Sequence, residues 1–183
     1  MEDLSLHILD VVENSTTAEA SRIEIKITED TGANLLTVEI IDNGKGMDRE
    51  LLDNACDPFY TTRTTRRVGL GIPLLAQSAR ESGGDISVKS KKGEGTAIKA
   101  SFQHDHIDRK PIGDIGQTMI ILIMSNPDID FIFGHRKDDR EYILNTAEIK
   151  QELDGVPINN PEVIKIIKDD ISTWLISINN MIE

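Results

Sequence analysis

Apolar side chains recur along the chain at two alternating periods. Leu4, Ile8, Val11, Val12 and Ala18 are spaced helically, with Ser5, Glu13, Asn14 and Glu19 between them, and predict an opening helix over residues 4–20. Arg22 to Thr28 alternates strictly, Ile23, Ile25 and Ile27 facing one way, and predicts a strand. Turn residues from Glu29 to Asn34 lead into a second β-rich run, Leu35 to Ile41, so the two pair as a hairpin. Asp48 is placed to cap a short helix through Ala55, and Asp57-Pro58 ends it, because the residue before proline avoids helical geometry. Thr61 to Arg67 has no period and reads as a loop. Gly69-Leu70-Gly71 opens a helix to about Ser82, stopped by Gly83-Gly84. Strands follow at Asp85 to Ser90 and Thr96 to Phe102.

Beyond a polar joint at His104 to Gly113, a buried helix is predicted over Asp114 to Ser125 and a hairpin over Ile129 to Phe133 and Glu141 to Leu144, turning at Arg136 to Asp139. A short helix near Ala147 to Leu153 and a final helix from Glu162 to about Ile182, with Pro161 in its first turn, complete the chain. This order predicts an α/β fold, a two-layer sandwich of helices on a mixed sheet. Residues 1–103 form the first unit, and residues 104–183 a small α/β extension packed on it.

Composition narrows the function. The chain has 183 residues, 38% hydrophobic and 28% charged, enough to bury a core without metal or disulfide staples. The formal net charge is −12, and the acid excess runs throughout: 17 acidic against 12 basic side chains in residues 1–103, and 15 against 8 beyond. Non-specific nucleic-acid binding, which needs clustered Lys and Arg, is not expected. A phosphate ligand would need a local site of backbone N–H groups, a few Arg and a metal ion. The longest apolar run, Met119 to Met124, falls far short of the roughly 18 residues of a membrane helix. The start, Met1-Glu2-Asp3, lacks signal-peptide layout. A single cysteine, Cys56, excludes an internal disulfide framework. A cytoplasmic protein without a membrane partner is expected.

Four segments carry candidate chemistry, each with a plainer alternative. Asp10 and Asn14 lie one helical turn apart: an Asn oxygen suits Mg²⁺ and a carboxylate beside it can deprotonate water, or both belong to a solvated face. In Asp42-Asn43-Gly44-Lys45-Gly46-Met47 an Asp at a strand end can accept from an exocyclic amino group, while the glycines let a flat base approach; D-N-G is also an ordinary turn. Asp57-Pro58-Phe59-Tyr60-Thr61-Thr62-Arg63, with Arg66 and Arg67, reads as a lid over phosphates or as a solvated loop whose Phe59 is core. Gly69-Leu70-Gly71 before a helix offers N–H groups and a helix dipole to an anion. It follows no strand and lacks a third glycine, so a Rossmann reading fails.

In this order the four segments resemble the GHKL superfamily, which groups DNA gyrase B subunits, the large heat-shock chaperone ATPases, histidine kinases and MutL-type mismatch-repair ATPases around the Bergerat ATP-binding fold. The stretch from Ile8 to Ile25 is similar to the MutL-type N box, Asp42 to Met47 to the G1 box, Asp57 to Arg63 to the kinase F box, and Gly69 to Ile72 to the G2 box. Ser90 to Thr96 resembles the kinase segment that ends at a site-lining Thr. The resemblance covers about residues 4–102. It implies ATP and Mg²⁺ as ligands, with Asn14 on the metal and Asp42 reading adenine. Gly44, Gly46 and Met47 would line the base pocket, Gly69 and Gly71 meet the phosphates, Arg63 and Arg66 close over them, and Phe59, Leu70 and Thr96 are further nucleotide-binding positions.

The departures from the family pattern shape the expected activity. Hydrolysing branches carry Glu where this chain has Asp10, and typical kinases carry no acid there. Arg67 stands where kinases usually have another glycine. Thirteen residues precede Asn14, which leaves no room for a phosphoacceptor hairpin. The resemblance therefore implies an Mg-ATP-binding protein acting as a slow ATPase, with Asp10 as general base, or as a kinase for a separate phosphoacceptor protein. The alternative is a nucleotide-gated interaction module with little turnover. His7, His104, His106 and Cys56 read as structural. Ile164, Ile167, Ile171, Trp174, Leu175 and Ile178 form a helical stripe of core or partner surface.

Overall fold

A computed structural model describes residues 3–57 and 70–179. Its elements in chain order are α1 (Leu4–Thr17), β1 (Arg22–Asp30), β2 (Leu35–Asp42), α2 (Arg49–Asp53), α3 (Gly71–Glu81), β3 (Ile86–Lys91), β4 (Gly95–Gln103), α4 (Ile115–Ser125), β5 (Asp130–Lys137), β6 (Arg140–Asn145), α5 (Thr146–Glu152) and α6 (Pro161–Asn179). The strands form one mixed sheet in the order β3-β4-β2-β1-β5-β6. β1 pairs antiparallel with β2 and parallel with β5; the other neighbours are antiparallel. Strands joined by tight turns pair antiparallel, whereas β1 and β5 are far apart in sequence, with α4 in the intervening chain, as a parallel pair requires.

Alternation assigns one face of the sheet to the core. Ile23, Ile25 and Ile27 of β1, Leu36, Val38 and Ile40 of β2, Ile98, Ala100 and Phe102 of β4, and Phe131 and Phe133 of β5 are buried in a single cluster with Leu4, Ile8, Val11 and Val12 of α1. Leu75 and Ala79 of α3, Met119 and Ile123 of α4, and Ile167 and Ile171 of α6 join the same cluster. The opposite face carries Lys26, Glu39, Lys99 and Arg136, with ion pairs Lys26–Glu24 and Lys99–Glu39. The result is the expected two-layer α/β sandwich, extended by β5 and β6 within the same sheet.

The joint at residues 104–113 clasps the start of α1. Asp3 caps the helix by accepting from Leu6 N–H, and the N–H groups of Leu4 and Ser5 donate to the carbonyls of Pro111 and Ile112. These are among the donors that a helix start leaves without intrahelical partners. Gly113, at φ +79°, sits so close to Asp3 that a Cβ there would lie 2.3 Å from the carboxyl carbon.

β1 and β5 both run further than their hydrophobic patterns predict. β1 reaches Asp30 and β5 reaches Lys137, which puts Glu29 and His135 on the inward face beyond Ile27 and Phe133. Glu29 is 7% exposed and His135 1%. Trp174 of α6 donates its indole N–H to His135 Nδ1 at 3.1 Å. An indole only donates, so Nδ1 accepts and the imidazole proton sits on Nε2, which donates to Glu29 Oε1 at 3.0 Å. His104 Nε2 donates to the other oxygen, also at 3.0 Å. Burial pushes the Glu29 pKa up, but the two imidazole N–H bonds, with the neighbouring Lys137 charge, more than offset this and hold it near 2. At the loop tips, Asp138 accepts from Thr31 N–H and Oγ1–H at 2.8 and 2.9 Å.

His7 is the opposite case. It is 1% exposed on the inner side of α1, and neither ring nitrogen has a hydrogen-bond partner among the described residues. Burial, then the Lys110 charge, lower its pKa from 6.5 to about 4.

Two predictions follow from these buried groups. Unfolded His7 takes up a proton that the folded chain refuses, so stability declines as pH falls from 6.5 towards 4. His7→Leu is expected to remove that component and to stabilise the fold by about 1 kcal/mol, because no hydrogen bond is lost; urea unfolding across this window checks it. Glu29→Gln confronts the His135 Nε2–H with an amide and is expected to cost about 1–2 kcal/mol at neutral pH. Its ordinary value is 4.5, so the gap between wild type and variant should narrow as pH falls from 4.5 to 2.

Candidate functional site

The other end of the same sheet face holds the predicted site. Asp42 is the next inward residue after Leu36, Val38 and Ile40, at the terminus of β2, and is 8% exposed. A carboxylate there needs partners, and each oxygen has one. Ser15 of α1 donates its hydroxyl to Oδ2 at 2.7 Å, and Gly44 N–H donates to Oδ1 at 2.9 Å. Across the sheet Asp42 is opposite Thr96 of β4, and Thr96 is opposite Ser90 of β3, so the three form one row. Thr96 is buried, and its Oγ1 lies 2.9 Å from Ser90 Oγ.

The loop after Asp42 divides its labour by residue. Asn43 turns away and accepts from the N–H groups of Ser21 and Arg22 at 2.9 Å each, fastening the loop to the start of β1. At Gly44, a Cβ would fall 2.8 Å from the Ala18 carbonyl oxygen, and Lys45 N–H donates to that same oxygen. Gly46 has φ +64° and lies against the Lys91 carbonyl, where a Cβ would come within 2.1 Å. Gly93 N–H donates to Lys45 O, and Met47 N–H donates to Ser90 Oγ at 2.8 Å. The Met47 side chain packs against the core cluster. The loop is thus laced to the C-terminal end of α1 on one side and to the β3–β4 turn on the other.

Asp10 and Asn14 lie on α1, half-buried, one turn apart. Neither side chain has a hydrogen-bond partner among the described residues. Burial, then the Glu13 charge, push the Asp10 pKa up, the direction a general base requires. Gly71 opens α3 against the backbone of Asp10, where a Cβ would meet the Asp10 carbonyl carbon at 3.1 Å. Leu70 precedes it as an N-cap without a side-chain hydrogen bond, so among the described residues no side chain caps the first turn of α3.

Of the predicted residues, Asp42, Gly44, Gly46, Met47 and Thr96 gather around one end of the sheet, and Asp10, Leu70 and Gly71 meet where α1 and α3 touch. Asn14 adjoins Ser15, which bonds Asp42. Phe59, Arg63, Arg66 and Gly69 lie outside the described residues. Two contributors were not assigned a role from the sequence. Ser15 follows Asn14 directly, and Ser90 continues the inward alternation Ile86, Val88, Ser90; both signals were readable only once the partner across the gap was known. His104 spends its Nε2 on Glu29, and no cluster of three or more His, Cys, Asp or Glu among the described residues is arranged to hold a metal. Among the described residues, no helix is long and apolar enough to cross a membrane.

Comparison with known proteins agrees with this geometry. Residues 2–106 match the family model described as histidine kinase-, DNA gyrase B-, and HSP90-like ATPase. A putative sensor protein of Shewanella frigidimarina is 30% identical over 97 residues, covering 52% of this chain and 15% of that protein. Sporulation kinase C of Bacillus subtilis is 25% identical over 91 residues, 50% of this chain and 21% of its own length. The sensor kinase CckA of Brucella abortus is 25% identical over 146 residues, 67% of this chain and 15% of its own. The chain therefore spans about a fifth or less of these relatives. Among solved structures, the N-terminal domain of a DNA repair protein matches with TM-score 0.54 and 18% identity, covering 79% of this chain and 53% of that one. The Aquifex aeolicus MutL ATPase domain complexed with ADP matches with TM-score 0.50 and 16% identity, over 79% and 63%. With its Asp42–Thr96 row, its glycine loop and its α1–α3 junction all falling inside the matched residues, this chain belongs to the histidine kinase-, DNA gyrase B- and HSP90-like ATPase family.

Proposed function

We propose that the protein binds Mg-ATP in this site and either hydrolyses it slowly or passes its phosphoryl group to a separate protein in a regulatory role in the cytoplasm. The observation that carries the reading is the buried Asp42 carboxylate, whose oxygens are oriented by Ser15 and Gly44 beside Thr96. A carboxylate held so at a strand end has lone pairs left for an exocyclic amino group such as adenine N6. Gly44, Gly46 and Met47 would border the base, with Phe59 towards the lid. Residues 1–103 would be the nucleotide-binding unit, and residues 104–183 an extension completing its core.

Asn14 fits a hard cation, because its amide oxygen is not engaged by any described residue and oxygen ligands suit Mg²⁺. Bound there, the ion would neutralise phosphate charge. The first turn of α3, at Leu70 and Gly71 after Gly69 and capped by no described side chain, would donate N–H groups to phosphate oxygens, and Arg63 and Arg66 would close over them. Asp10 abuts Gly71, so water attacking a phosphate bound at that helix start would come within its reach. An Asp is one methylene shorter than the Glu of hydrolysing relatives, which favours slow turnover. The same shortness favours, as the second reading, a nucleotide-gated interaction module in which ATP orders the lid and exposes a partner surface.

Calorimetry on the wild type should detect Mg-ATP, with Asp42→Asn lowering affinity by roughly 10-fold or more, as loss of a charged acceptor implies. Wild type without Mg-ATP binding would sink the reading. Asn14→Ala should reduce the gain in affinity that Mg²⁺ confers on ATP; an unchanged gain would remove Asn14 from the metal. Asp10→Asn should bind ATP normally yet release phosphate roughly 100-fold more slowly, the usual size of a general-base effect. Phosphate release that is undetectable in the wild type, together with no label transfer to a partner, selects the interaction-module reading.

A further inference from the structure

Away from the nucleotide site, the most exposed large apolar side chain among the described residues is Ile107, 94% exposed in the joint between β4 and α4. A lone exposed Ile calls for no explanation by itself, but this one is fixed in place on both sides. Before it, Asp105 accepts from Asn34 Nδ2–H and Gln103 Nε2–H, and its own N–H donates to Asn34 Oδ1. After it, Asp108 N–H donates to His106 Nδ1 and Arg109 N–H to the His106 carbonyl, while the Arg109 side chain donates to the His104 and Lys110 carbonyls. The ordering cost that a loose loop meets on association is therefore already met in the free chain. The Asp108 carboxylate beside Ile107 is exposed, its one ion-pair contact among the described residues being His106 at 3.8 Å.

The face of the sheet that the helices leave open carries a groove of about 380 Å³. Gly134 of β5 makes a dip in it, since a Cβ there would meet only the Lys26 side chain, at 3.6 Å. Exposed Ile143 of β6 stands opposite Gly134 and walls the dip. Two residues along β5 on the same face, Arg136 stands opposite Glu141, and neither side chain has a hydrogen-bond or ion-pair partner among the described residues. An apolar seat thus lies beside an unengaged guanidinium. Ile107, exposed as it is, does not fill the groove of its own chain, yet it stands at the rim: Leu35 lines the groove, pairs with Gln103 and follows Asn34, which holds Asp105. A protrusion and a recess on one surface are what a two-fold contact needs, because each copy then offers both and the assembly closes. The net charge of −12 opposes self-association, but the groove is locally neutral, Lys26, Lys99 and Arg136 balancing Asp30, Glu39 and Glu141.

We propose that this face is a self-association surface whose occupant is a second copy of the chain: Ile107 of each copy lies over Gly134 of the other, against Ile143, and Asp108 pairs with Arg136 of the other copy. The rigid Ile is the anchor, and burying it in the dip removes from water an apolar side chain that the monomer leaves exposed. The Asp108–Arg136 contact fixes the register, a carboxylate on the protruding loop meeting the one guanidinium of the groove. The contact uses the open face of the sheet, so it leaves Asp42, Asp10 and Asn14 on the helix side untouched.

Sedimentation equilibrium of the full chain without nucleotide tests this independently of the ATP reading, and should show a monomer–dimer equilibrium. Ile107→Asp is expected to raise the dimer Kd by roughly 30-fold or more, the size of losing a buried anchor. Gly134→Leu fills the dip from the other side and should raise it comparably; circular dichroism and the urea midpoint of the monomer, unchanged in both variants, separate loss of the contact from loss of the fold. Asp108→Arg should weaken the dimer by roughly 3–10-fold, and adding Arg136→Glu should recover most of that loss, since each copy then carries the swapped pair. A wild type that stays monomeric up to about 100 μM overturns the proposal. So does a dimer that survives both Ile107→Asp and Gly134→Leu, which would place the interface elsewhere. A monomeric wild type that binds a different protein through Ile107 would assign the loop to that partner and overturn self-association. A charge swap without recovery overturns the Asp108–Arg136 register.

Discussion

Strict alternation across the sheet is the constraint from which both ends of the molecule take their character. Every second residue of β1, β2, β4 and β5 faces a single layer of helices, and the inward positions are filled with Ile, Leu, Val and Phe until the strands run out. At one end the next inward residue is Asp42, and at the other it is Glu29. Neither carboxylate can reach bulk water easily, so each must be satisfied by groups the fold brings to it. The donors differ in kind: two imidazoles at Glu29, a hydroxyl and a backbone N–H at Asp42.

Glu29 accepts one hydrogen bond on each oxygen. Two imidazole N–H groups occupy its two oxygens, and the donor-only indole of Trp174 fixes the tautomer of His135. This set ties β1, the joint after β4, β5 and α6 together. Asp42 likewise accepts one hydrogen bond on each oxygen. One hydroxyl and one backbone N–H orient it, and the acceptor capacity that remains faces a rim of glycines, Thr96 and Ser90.

The glycines matter through distance more than through flexibility. Gly46 and Gly95 combine positive φ with carbonyls at their Cβ positions, and Gly71 lets α3 begin against the backbone of Asp10. Side chains at these points would separate the loop from the β3–β4 turn and α3 from α1. The spread-out sequence motifs are thereby compressed into one end of the sandwich without any of them leaving its own element.

The sequence by itself determined the elements, because the two hydrophobic periods and the turn residues are local properties. The predicted order of helices and strands, the cap Asp48, the D-N-G loop and the GHKL resemblance all required no knowledge of long-range contacts. Where the reading fell short, the missing information was long-range. Glu29 looked like turn chemistry because an acid at a strand end says nothing about which face it takes; pairing of β1 with β5 carried the strand on and turned Glu29 inward against His135. Arg136 and Lys137 likewise looked like a loop, although they continue β5. Ser15 and Ser90 are ordinary residues in their own helix and strand. Only the packing of α1 on β2, and of the glycine loop on the β3–β4 turn, brings their hydroxyls to Asp42, Met47 and Thr96, because a hydrogen bond acts over about 3 Å and residues 27 and 43 positions apart meet at that range only in the folded chain.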